Sequence, residues 1–235
     1  MRRMTRPDPR RWIARFAAPL LALCVVAGGA RADGTLPEWR LDPTHSRVLF
    51  DVDHAGFSYS LATLSAPTGR LRYDPERWDG AEAVIEMPVA RLDFGDDDWN
   101  RAMLGRRWFD AESHPTITFR STRVDPVDDV NARVHGELTV HGVTAPVVLD
   151  VRRNGERRHP LTLRRTVGFS ATAELDRNAF GLDGSPNLIG RTVRVRIEVE
   201  AVRARRAPVD DAASTDPDDA PIEPTEDDDA DPQHD

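Results

Sequence analysis

Five histidines offer the side chains best suited to bind a metal ion or a haem, because a neutral imidazole nitrogen is a common ligand for both. They are His45, His54, His114, His135 and His141. His135 and His141 lie on one strand-like segment, where their spacing corresponds to about 20 Å, too far for one metal ion. His45 precedes Ser46 at a strand entrance, where a turn hydrogen bond is the ordinary role. We therefore predict structural roles for these histidines and no metal site.

Acidic residues also recur in pairs, such as Asp51 with Asp53 and Glu82 with Glu86, and paired carboxylates can support acid–base hydrolysis. Both members of each pair point to the same side of a strand-like segment, which is typical of a solvated face. The chain contains no zinc-protease pattern, phosphate-binding loop, dinucleotide-binding glycine motif or nucleophile elbow. The sequence therefore predicts no catalytic residues and no cofactor.

Alternation of apolar and polar residues indicates the elements that carry these side chains. In residues 134–140 the apolar positions Val134, Leu138 and Val140 share one face, and the alternation resumes at 147–151 after Gly142. Residues 193–199 repeat the pattern, with charged residues on the opposite face. These segments predict a β-hairpin and a further strand in an antiparallel sheet with one dry face.

The same pattern predicts about eight strands along the chain. They cover residues 47–53, 64–73, 81–89, 116–124, 130–140, 147–153, 162–175 and 192–203. The predicted turns are Asp74-Pro75, Asp79-Gly80, Asp125-Pro126, His141-Gly142, Asn154-Gly155 and Asp183-Gly184. A short helix is predicted where the acidic run 96–98 precedes Trp99, Met103 and Leu104 at helical spacing, ending at Gly105. The predicted fold class is all-β: an antiparallel barrel of about eight strands with one or two short helices.

The N-terminal residues have the pattern of a secretory signal peptide. Six arginines precede an apolar run at 17–29, and Ala30-Arg31-Ala32 provides small residues at the spacing of a cleavage site. The run is shorter than the roughly 20 residues that span a bilayer. Leu23, before the single Cys24, does not fit a lipoprotein cleavage box. We predict a signal peptide at 1–32, export to the periplasm, and a mature chain without cysteine.

Charge divides the rest of the chain into a core and a tail. Residues 207–235 hold twelve acidic residues and no arginine or lysine, which predicts a disordered acidic tail. The core at 33–206 holds 25 basic and 27 acidic residues. This near-neutral balance disfavours nucleic acid as a partner.

Four segments of the core resemble the YceI-like lipid/polyisoprenoid-binding family, in the family's own order. They are LDPTHSRVLF at 41–50, WFDAESHPTITF at 108–119, GELTVHGVT at 136–144 and DRNAFGL at 176–182. The resemblance covers about residues 39–204. It implies an exported, lipocalin-like β-barrel whose apolar pore holds a long isoprenoid or related lipid chain, and a binding protein rather than an enzyme. Residues 91–107 and the acidic tail depart from the family's usual pattern.

A binding pore would be lined by the inward faces of the alternating strands. The candidate ligand-binding residues are Val48, Phe50, Val52, Leu71, Val84, Ile117, Phe119, Leu138, Val140, Phe169 and Ile197. The alternative is that these side chains simply fill the barrel, and a one-residue error in register would turn a whole set outward. Further aromatic candidates for a mouth or an end plug are Phe57, Tyr59, Trp99, Trp108, Phe109 and Phe180, with core packing favoured for Trp108 and Phe109.

Two functions from different classes follow. The first is a periplasmic carrier for a polyisoprenoid such as a quinone or a polyprenyl lipid, with transient membrane contact. The second is a structural or stress-related envelope protein with a filled barrel, whose acidic tail binds a cationic partner. A barrel closed on itself exposes few strand edges, so both monomer and homodimer remain compatible with the sequence.

Overall fold

The computed structural model describes residues 36–205, which form eleven β-strands and one α-helix. The strands are β1 Glu38–Leu41, β2 Arg47–His54, β3 Ser58–Ser65, β4 Thr68–Asp74, β5 Arg77–Pro88, β6 Leu92–Asp93, β7 Thr116–Pro126, β8 Asn131–Val140, β9 Val143–Arg158, β10 Arg165–Asp176 and β11 Ile189–Arg203. The helix α1 is Asp97–Leu104, and short 3₁₀ turns cover Val89–Arg91 and Arg177–Phe180. The predicted signal peptide and the predicted acidic tail lie outside the described residues.

The strands close into an antiparallel barrel because β11 pairs with two strands in succession. Its C-terminal part pairs with β1, where Ala201 lies opposite Leu41, and its middle pairs with β2, where Ile197 lies opposite Val48. β1 and β2 therefore lie end to end in one position of the wall, and β4 and β3, which pair with them, lie end to end in the next. With β5, β7, β8, β9, β10 and β11 the wall of the described barrel has eight positions. The predicted eight-stranded antiparallel barrel is confirmed.

The antiparallel register gives the barrel two distinct ends. The turns β4–β5, β7–β8 and β9–β10 lie at one end, together with the start of β1 and the end of β11. We call it the aromatic end, after the side chains of Trp39, Tyr73, Trp78 and Phe169 that cluster there. The turns β2–β3 and β8–β9, the β10–β11 connection and α1 lie at the opposite end, which we call the loop end.

The helix at the loop end follows the capping signals in its sequence. Asp96 caps it, since a carboxylate oxygen accepts a hydrogen bond from the backbone N–H of Trp99 at 2.9 Å. Two more acids, Asp97 and Asp98, occupy the first turn, where they favourably meet the positive end of the helix dipole. The helix ends at the Gly105 cap, as predicted. Within residues 36–205, none of the helices has both the length and the apolar character that crossing a bilayer requires.

Two of the predicted turns are wrong, and a third, Asp125-Pro126, is the paired end of β7, with the chain reversal at residues 127–130. Asp79-Gly80 lies inside β5 and Asn154-Gly155 lies inside β9. Register shifts accompany both: β4 and β5 lose register between Arg72 and Asp74, and β9 and β10 lose it next to Gly168. A glycine that interrupts alternation can mark a β-bulge as well as a turn, and the sequence alone does not separate the two.

The predicted strand at 64–73 is two strands rather than one. Ala66 has a left-handed φ of 56° and is followed by Pro67, so the chain bends between β3 and β4. This bend lets β3 pair with β2 while β4 pairs with β1. The short β1 and most of β3 were not predicted, because neither has enough regular alternation to stand out.

Candidate functional site: an apolar cavity inside the barrel

The barrel encloses a cavity of about 270 Å³ between its two ends. Residues from nearly every strand line it, and the lining is apolar apart from Ser121 and the polar atoms of Tyr73 and Trp78; Arg72 and Glu82 also border it, but their side chains form an exposed ion pair on the outer face. Its volume lies close to the lower limit of the roughly 300–1,000 Å³ typical of small-molecule sites. The interior can therefore accommodate one slender apolar ligand, and the described side chains do not fill the barrel.

Nine of the eleven predicted ligand-binding residues face this cavity. They are Val48, Phe50, Leu71, Ile117, Phe119, Leu138, Val140, Phe169 and Ile197. They converge because a β-strand sends alternate side chains to one side, and the closed wall turns that side inward. Their position makes them available to a ligand; the binding itself stays a prediction.

Val84 is placed differently from its prediction. Its neighbours Ala83 and Ile85 line the cavity, whereas Val84 pairs across the wall with Arg70 and Arg120. It shares the parity of Glu82 and Glu86, which the sequence assigned to the solvated face. The prediction was wrong because Glu82 and Glu86 already indicate which side of β5 faces outward, and Val84 lies on that same side.

Val52 is also displaced from the main cavity. It lines a second cavity of about 190 Å³ at the loop end, which we call the side cavity. Three residues, Phe50, Phe109 and Leu182, line both cavities and form the partition between them. The parity of Val52 was read correctly, but β2 continues past the end of the main cavity.

The side cavity brings polar groups close to the apolar interior. Asp53, His54, Ser60 and Arg177 contribute to its lining, together with aromatic and aliphatic side chains from α1 and the following loop. Among the aromatic candidates, Trp99 and Trp108 line the side cavity. The loop end thus offers a polar environment next to a dry one.

The other aromatic candidates divide between the interior and the surface. Phe109 and Phe180 are buried and line the main cavity at the loop end. Tyr59 is about half exposed, with the guanidinium of Arg194 above its ring at 4.0 Å from the centroid. Phe57 lies at the β2–β3 turn and is 90% exposed. It neither guards nor plugs the main cavity.

Aromatic side chains close the opposite end. The ring centroid of Tyr73 lies 5.1 Å from that of Trp78 and 5.3 Å from that of Phe169. Trp39 is fully buried behind them, and its indole N–H donates to the backbone oxygen of Tyr73 at 2.8 Å. Burial raises the pKa of Tyr73, so its phenol remains neutral at physiological pH. These four rings form a floor beneath the cavity.

Several lining residues were not predicted, although the alternation already indicated them. Leu149 and Val151 on β9, and Val193, Val195 and Val199 on β11, line the cavity and share the parity of predicted inward positions. Extending each inward set along its whole strand would have found them. By contrast, Trp78 lies in a segment for which no strand was predicted, and no sequence signal marked it.

Arg177 binds the β10–β11 connection and the start of β11 at the loop end. Although it carries a charge, it is 6% exposed, and its guanidinium donates to the backbone oxygens of Gly190 at 2.8 Å, Ile189 at 2.9 Å and Leu182. Burial lowers the pKa of Arg177, and the nearby Asp183 partly opposes that shift. Since an arginine keeps its charge in proteins, these carbonyls receive charge-assisted hydrogen bonds.

The carboxylate pairs have structural partners rather than a shared site. Asp51 accepts a hydrogen bond from Arg194 at 2.7 Å, and Glu82 forms an exposed ion pair with Arg72 at 3.5 Å. Both interactions run across neighbouring strands on the outer face, which agrees with the predicted solvated role.

Two histidines have the local partners expected of structural residues. His45 contacts Asp42, with 2.9 Å between its Nδ1 and a carboxylate oxygen, and His135 contacts Asp125 at the same distance. The hydrogen bond to Asp42 raises the pKa of His45. Burial raises the pKa of Asp42, but hydrogen bonds from His45 and from backbone N–H groups outweigh it and lower that pKa overall.

His114 and His141 form a pair that the sequence did not predict. Their ring centroids lie 5.1 Å apart in an edge-to-face arrangement. The sequence argument compared His141 only with His135 on the same strand, and so missed a partner that another loop provides.

Comparison with known proteins identifies the family to which this barrel belongs. A family model described as a YceI-like domain matches residues 39–201, nearly the whole barrel. The chain belongs to the YceI-like family. The resemblance read from the four sequence segments is thereby confirmed.

Sequence relatives and solved structures similar to this chain are also known. A UPF0312 protein of Pseudomonas putida strain F1 is 29% identical over 192 residues, which cover 81% of this chain and 97% of that protein. Burkholderia cenocepacia BcnA has a similar fold, with a TM-score of 0.62, 21% identity, and coverage of 68% of this chain and 98% of that one. A polyisoprenoid binding domain from Saccharophagus degradans gives a TM-score of 0.52, 19% identity, and coverage of 72% and 99%.

Proposed function

We propose that this YceI-like protein binds and carries a long apolar chain of the polyisoprenoid class in its barrel cavity. The observation that carries the proposal is a closed barrel wall around about 270 Å³ lined by apolar side chains. The S. degradans domain, which has the same fold and is named for polyisoprenoid binding, supports the ligand class. The role is binding rather than catalysis.

The energetics favour a hydrocarbon chain in this space. Each buried CH₂ group contributes about 0.8 kcal/mol, so a chain of ten or more carbons provides a substantial driving force. Water gains little in the same cavity, because an apolar wall offers it few hydrogen-bond partners. A carrier that removes such a chain from water lets it cross an aqueous compartment.

The two ends give the ligand a direction. Tyr73, Trp78 and Phe169 block the aromatic end, and they offer mainly ring surface to an incoming chain. The side cavity at the loop end contains Asp53, His54 and Ser60, which can hydrogen-bond a polar group. The proposed orientation therefore places the hydrocarbon tail towards the aromatic end and the head group at the loop end.

The proposed location is the periplasm. It rests on the predicted signal peptide at residues 1–32, whose basic start, apolar run and small residues have the pattern of an exported leader. Fractionation of cells that express the full chain tests it: recovery in the periplasmic fraction supports export, and recovery with the cytoplasm contradicts it.

Native mass spectrometry tests the carrier function, with organic extraction to identify what is released. The informative variant is Ala171→Phe, because Ala171 is buried on β10 and lines the cavity, so a phenyl ring there occupies ligand space. The matched control is Thr172→Phe, one residue further along the same strand and exposed on the outer face. Both variants add a ring to β10, but only one adds it to the interior.

The expected result is a stoichiometric isoprenoid mass on the wild type and on Thr172→Phe, and its loss from Ala171→Phe. Circular dichroism of Ala171→Phe would verify that the barrel remains folded. A wild type that stays free of ligand after incubation with quinones, polyprenyl phosphates and fatty acids would contradict the carrier function. Uptake of fatty acids alone would replace the isoprenoid class with another lipid.

The acidic tail carries the second candidate function. Twelve acidic residues without a lysine or arginine at 207–235 favour contact with a cationic partner. Deletion of this segment should abolish recovery of such a partner from envelope extracts at low salt, while ligand uptake stays unchanged. Equal recovery with and without the tail would eliminate this role.

A further inference from the structure

A group of three potential metal ligands lies at the loop end, outside both cavities. Asp110 and His114 belong to the loop between α1 and β7, and His141 occupies the β8–β9 turn. One ligand atom from each of the three lies within 4.8 Å of the other two, and all three residues are half-buried. Two segments about thirty residues apart in sequence therefore converge here on a carboxylate and two imidazoles.

The backbone conformation of the loop and the turn holds Asp110, His114 and His141 close together. Asp110 accepts a hydrogen bond on its backbone oxygen from the N–H of His114 at 2.8 Å, which closes the loop between them. Asp110 and His141 both have left-handed backbone conformations, with φ of 43° and 52°. Such conformations cost energy for residues other than glycine, and where they occur together they often mark a functional constraint.

Gly142 makes room for the histidine pair. A Cβ atom at this position would lie 2.5 Å from Cε1 of His114, so any larger residue would displace the ring. The glycine also adopts a φ of 74°, as the second residue of a tight turn requires. Glycine at position 142 therefore has two roles: it allows the chain to reverse, and it lets the His114 ring pack against the turn.

The side chains of these three residues make no hydrogen bond with other protein groups in residues 36–205. Three other histidines in that range do have such partners, since His45 contacts Asp42, His135 contacts Asp125, and His159 accepts from the backbone of Leu161, whereas His54 likewise has none. The carboxylate and imidazole atoms of Asp110, His114 and His141 are thus not engaged by other protein groups in that range and can serve as ligand atoms.

We propose that Asp110, His114 and His141 bind a divalent transition-metal ion of the zinc type. Two imidazole nitrogens and one carboxylate oxygen form a donor set that suits Zn²⁺ and its neighbours. Ligands at about 2.1 Å around a tetrahedral ion lie roughly 3.4 Å apart, so small side-chain rotations complete the site. Three protein ligands leave a fourth position for water or an external anion.

The site would join two segments that also shape the main cavity. Phe109 and Val140, which directly precede Asp110 and His141, both line that cavity. A bound ion therefore ties the α1–β7 loop to the β8–β9 turn next to the inferred head-group position. Metal binding does not depend on the nature of the cavity ligand, so each can fail without the other.

Cobalt binding tests the site directly, because visible absorption of Co²⁺ reports its ligands and geometry. The protein is recovered without a histidine tag from cells expressing the full chain, stripped with chelator, and titrated with Co²⁺ and then with Zn²⁺. The expected result for the wild type is one equivalent of Co²⁺ with tetrahedral absorption bands, displaced by one equivalent of Zn²⁺.

The variants are His114→Ala, Asp110→Asn and His141→Asn. Asparagine tolerates the left-handed conformation at position 141, so the turn is retained while an imidazole is removed. Each variant should lose at least tenfold in Co²⁺ affinity and should not show the rise in Tm that Zn²⁺ gives the wild type. The control His135→Ala, on β8 and paired with Asp125 instead, should bind as the wild type does.

Two results would overturn the proposal. One is a wild type that binds no stoichiometric Co²⁺. The other is an equal affinity in the wild type and in His141→Asn, with circular dichroism showing that both are folded, since the metal would then bind elsewhere, for example to the acidic tail.

Discussion

At the aromatic end of the barrel the inward side chains are large rings in mutual contact, whereas around the main cavity they are mostly aliphatic and surround an open space. Trp39 is fully buried at the aromatic end, and the rings of Tyr73, Trp78 and Phe169 make tilted and edge-to-face contacts, with centroids 5.1–6.1 Å apart. Leu138 on β8 is only partly buried, because the cavity lies beside it. The same strands run through both regions.

The difference teaches that alternation decides which side chains point inward, while their summed volume decides whether the interior is full. An eight-stranded barrel is just wide enough for side chains to fill it or to leave room for one small ligand. Four large rings fill the aromatic end, and valine, leucine and alanine along the strands beyond them leave the space of the main cavity. Stability and ligand binding should therefore separate along the barrel axis.

The largest effect is expected at Trp39. Trp39→Ala removes a fully buried indole and its hydrogen bond to Tyr73, which should lower the free energy of unfolding by about 3–5 kcal/mol. Leu138→Ala should cost about 2 kcal/mol or less, because one side of Leu138 already faces the cavity. Urea unfolding at constant m-value measures both losses. Equal losses would mean that the two regions are equally well packed.

Arg177 should affect the loop end alone. Arg177→Met leaves the carbonyls of Leu182, Ile189 and Gly190 without their donor, at a cost of about 3 kcal/mol. Hydrogen exchange should accelerate at residues 182–190, while the buried amide of Val167 at the aromatic end keeps its protection. Arg191→Met is the control, since Arg191 forms an exposed ion pair with Asp176 at the same end. Unchanged exchange at 182–190 would show that the loop end is held by other contacts.

Gly136 lies against the ring of Phe119, which lines the cavity, so a larger side chain at position 136 would alter the space available to a ligand. A Cβ atom there would lie 2.4 Å from Cε2 of Phe119 and 2.6 Å from the backbone oxygen of Arg120. Gly136→Ala should therefore push the Phe119 ring into the cavity, reduce lipid uptake, and cost about 1–3 kcal/mol. Gly155→Ala is the control, because a Cβ atom at that position meets nothing within 4 Å. Full uptake by Gly136→Ala would contradict the assigned position of the Phe119 ring.

The smallest effect concerns pH and the exposed pair of His45 and Asp42. Because Asp42 raises the pKa of His45, the charged pair stabilises the fold fully below the unfolded pKa of about 6.5, and this contribution disappears as pH rises through the raised folded value. His45→Gln should therefore lower Tm slightly near pH 6 and leave it unchanged near pH 9. A larger difference at high pH would reverse the assigned sign.

Much of the fold could be predicted from particular residues. The alternation at 134–151 and 193–199 gave strands with the correct inward faces, and the Asp96 cap with Gly105 gave the helix and its limits. These predictions succeed because period and capping are local properties of the chain. Turn prediction failed at Gly80 and Gly155, where a bulge in a paired strand uses the same residue types as a turn.

The site was predictable only in part, since it depends on which segments meet. The amino-acid sequence by itself determined the all-β class, the alternation and nine of the eleven lining positions. Only the tertiary structure decided that Val84 faces outward, that Val52 reaches a second cavity, and that four rings close one end while space remains inside the barrel beyond them. It alone brought His114 to His141. The physical reason is that local patterns fix direction along a strand, whereas register, closure and residual volume arise from contacts between residues far apart in the chain.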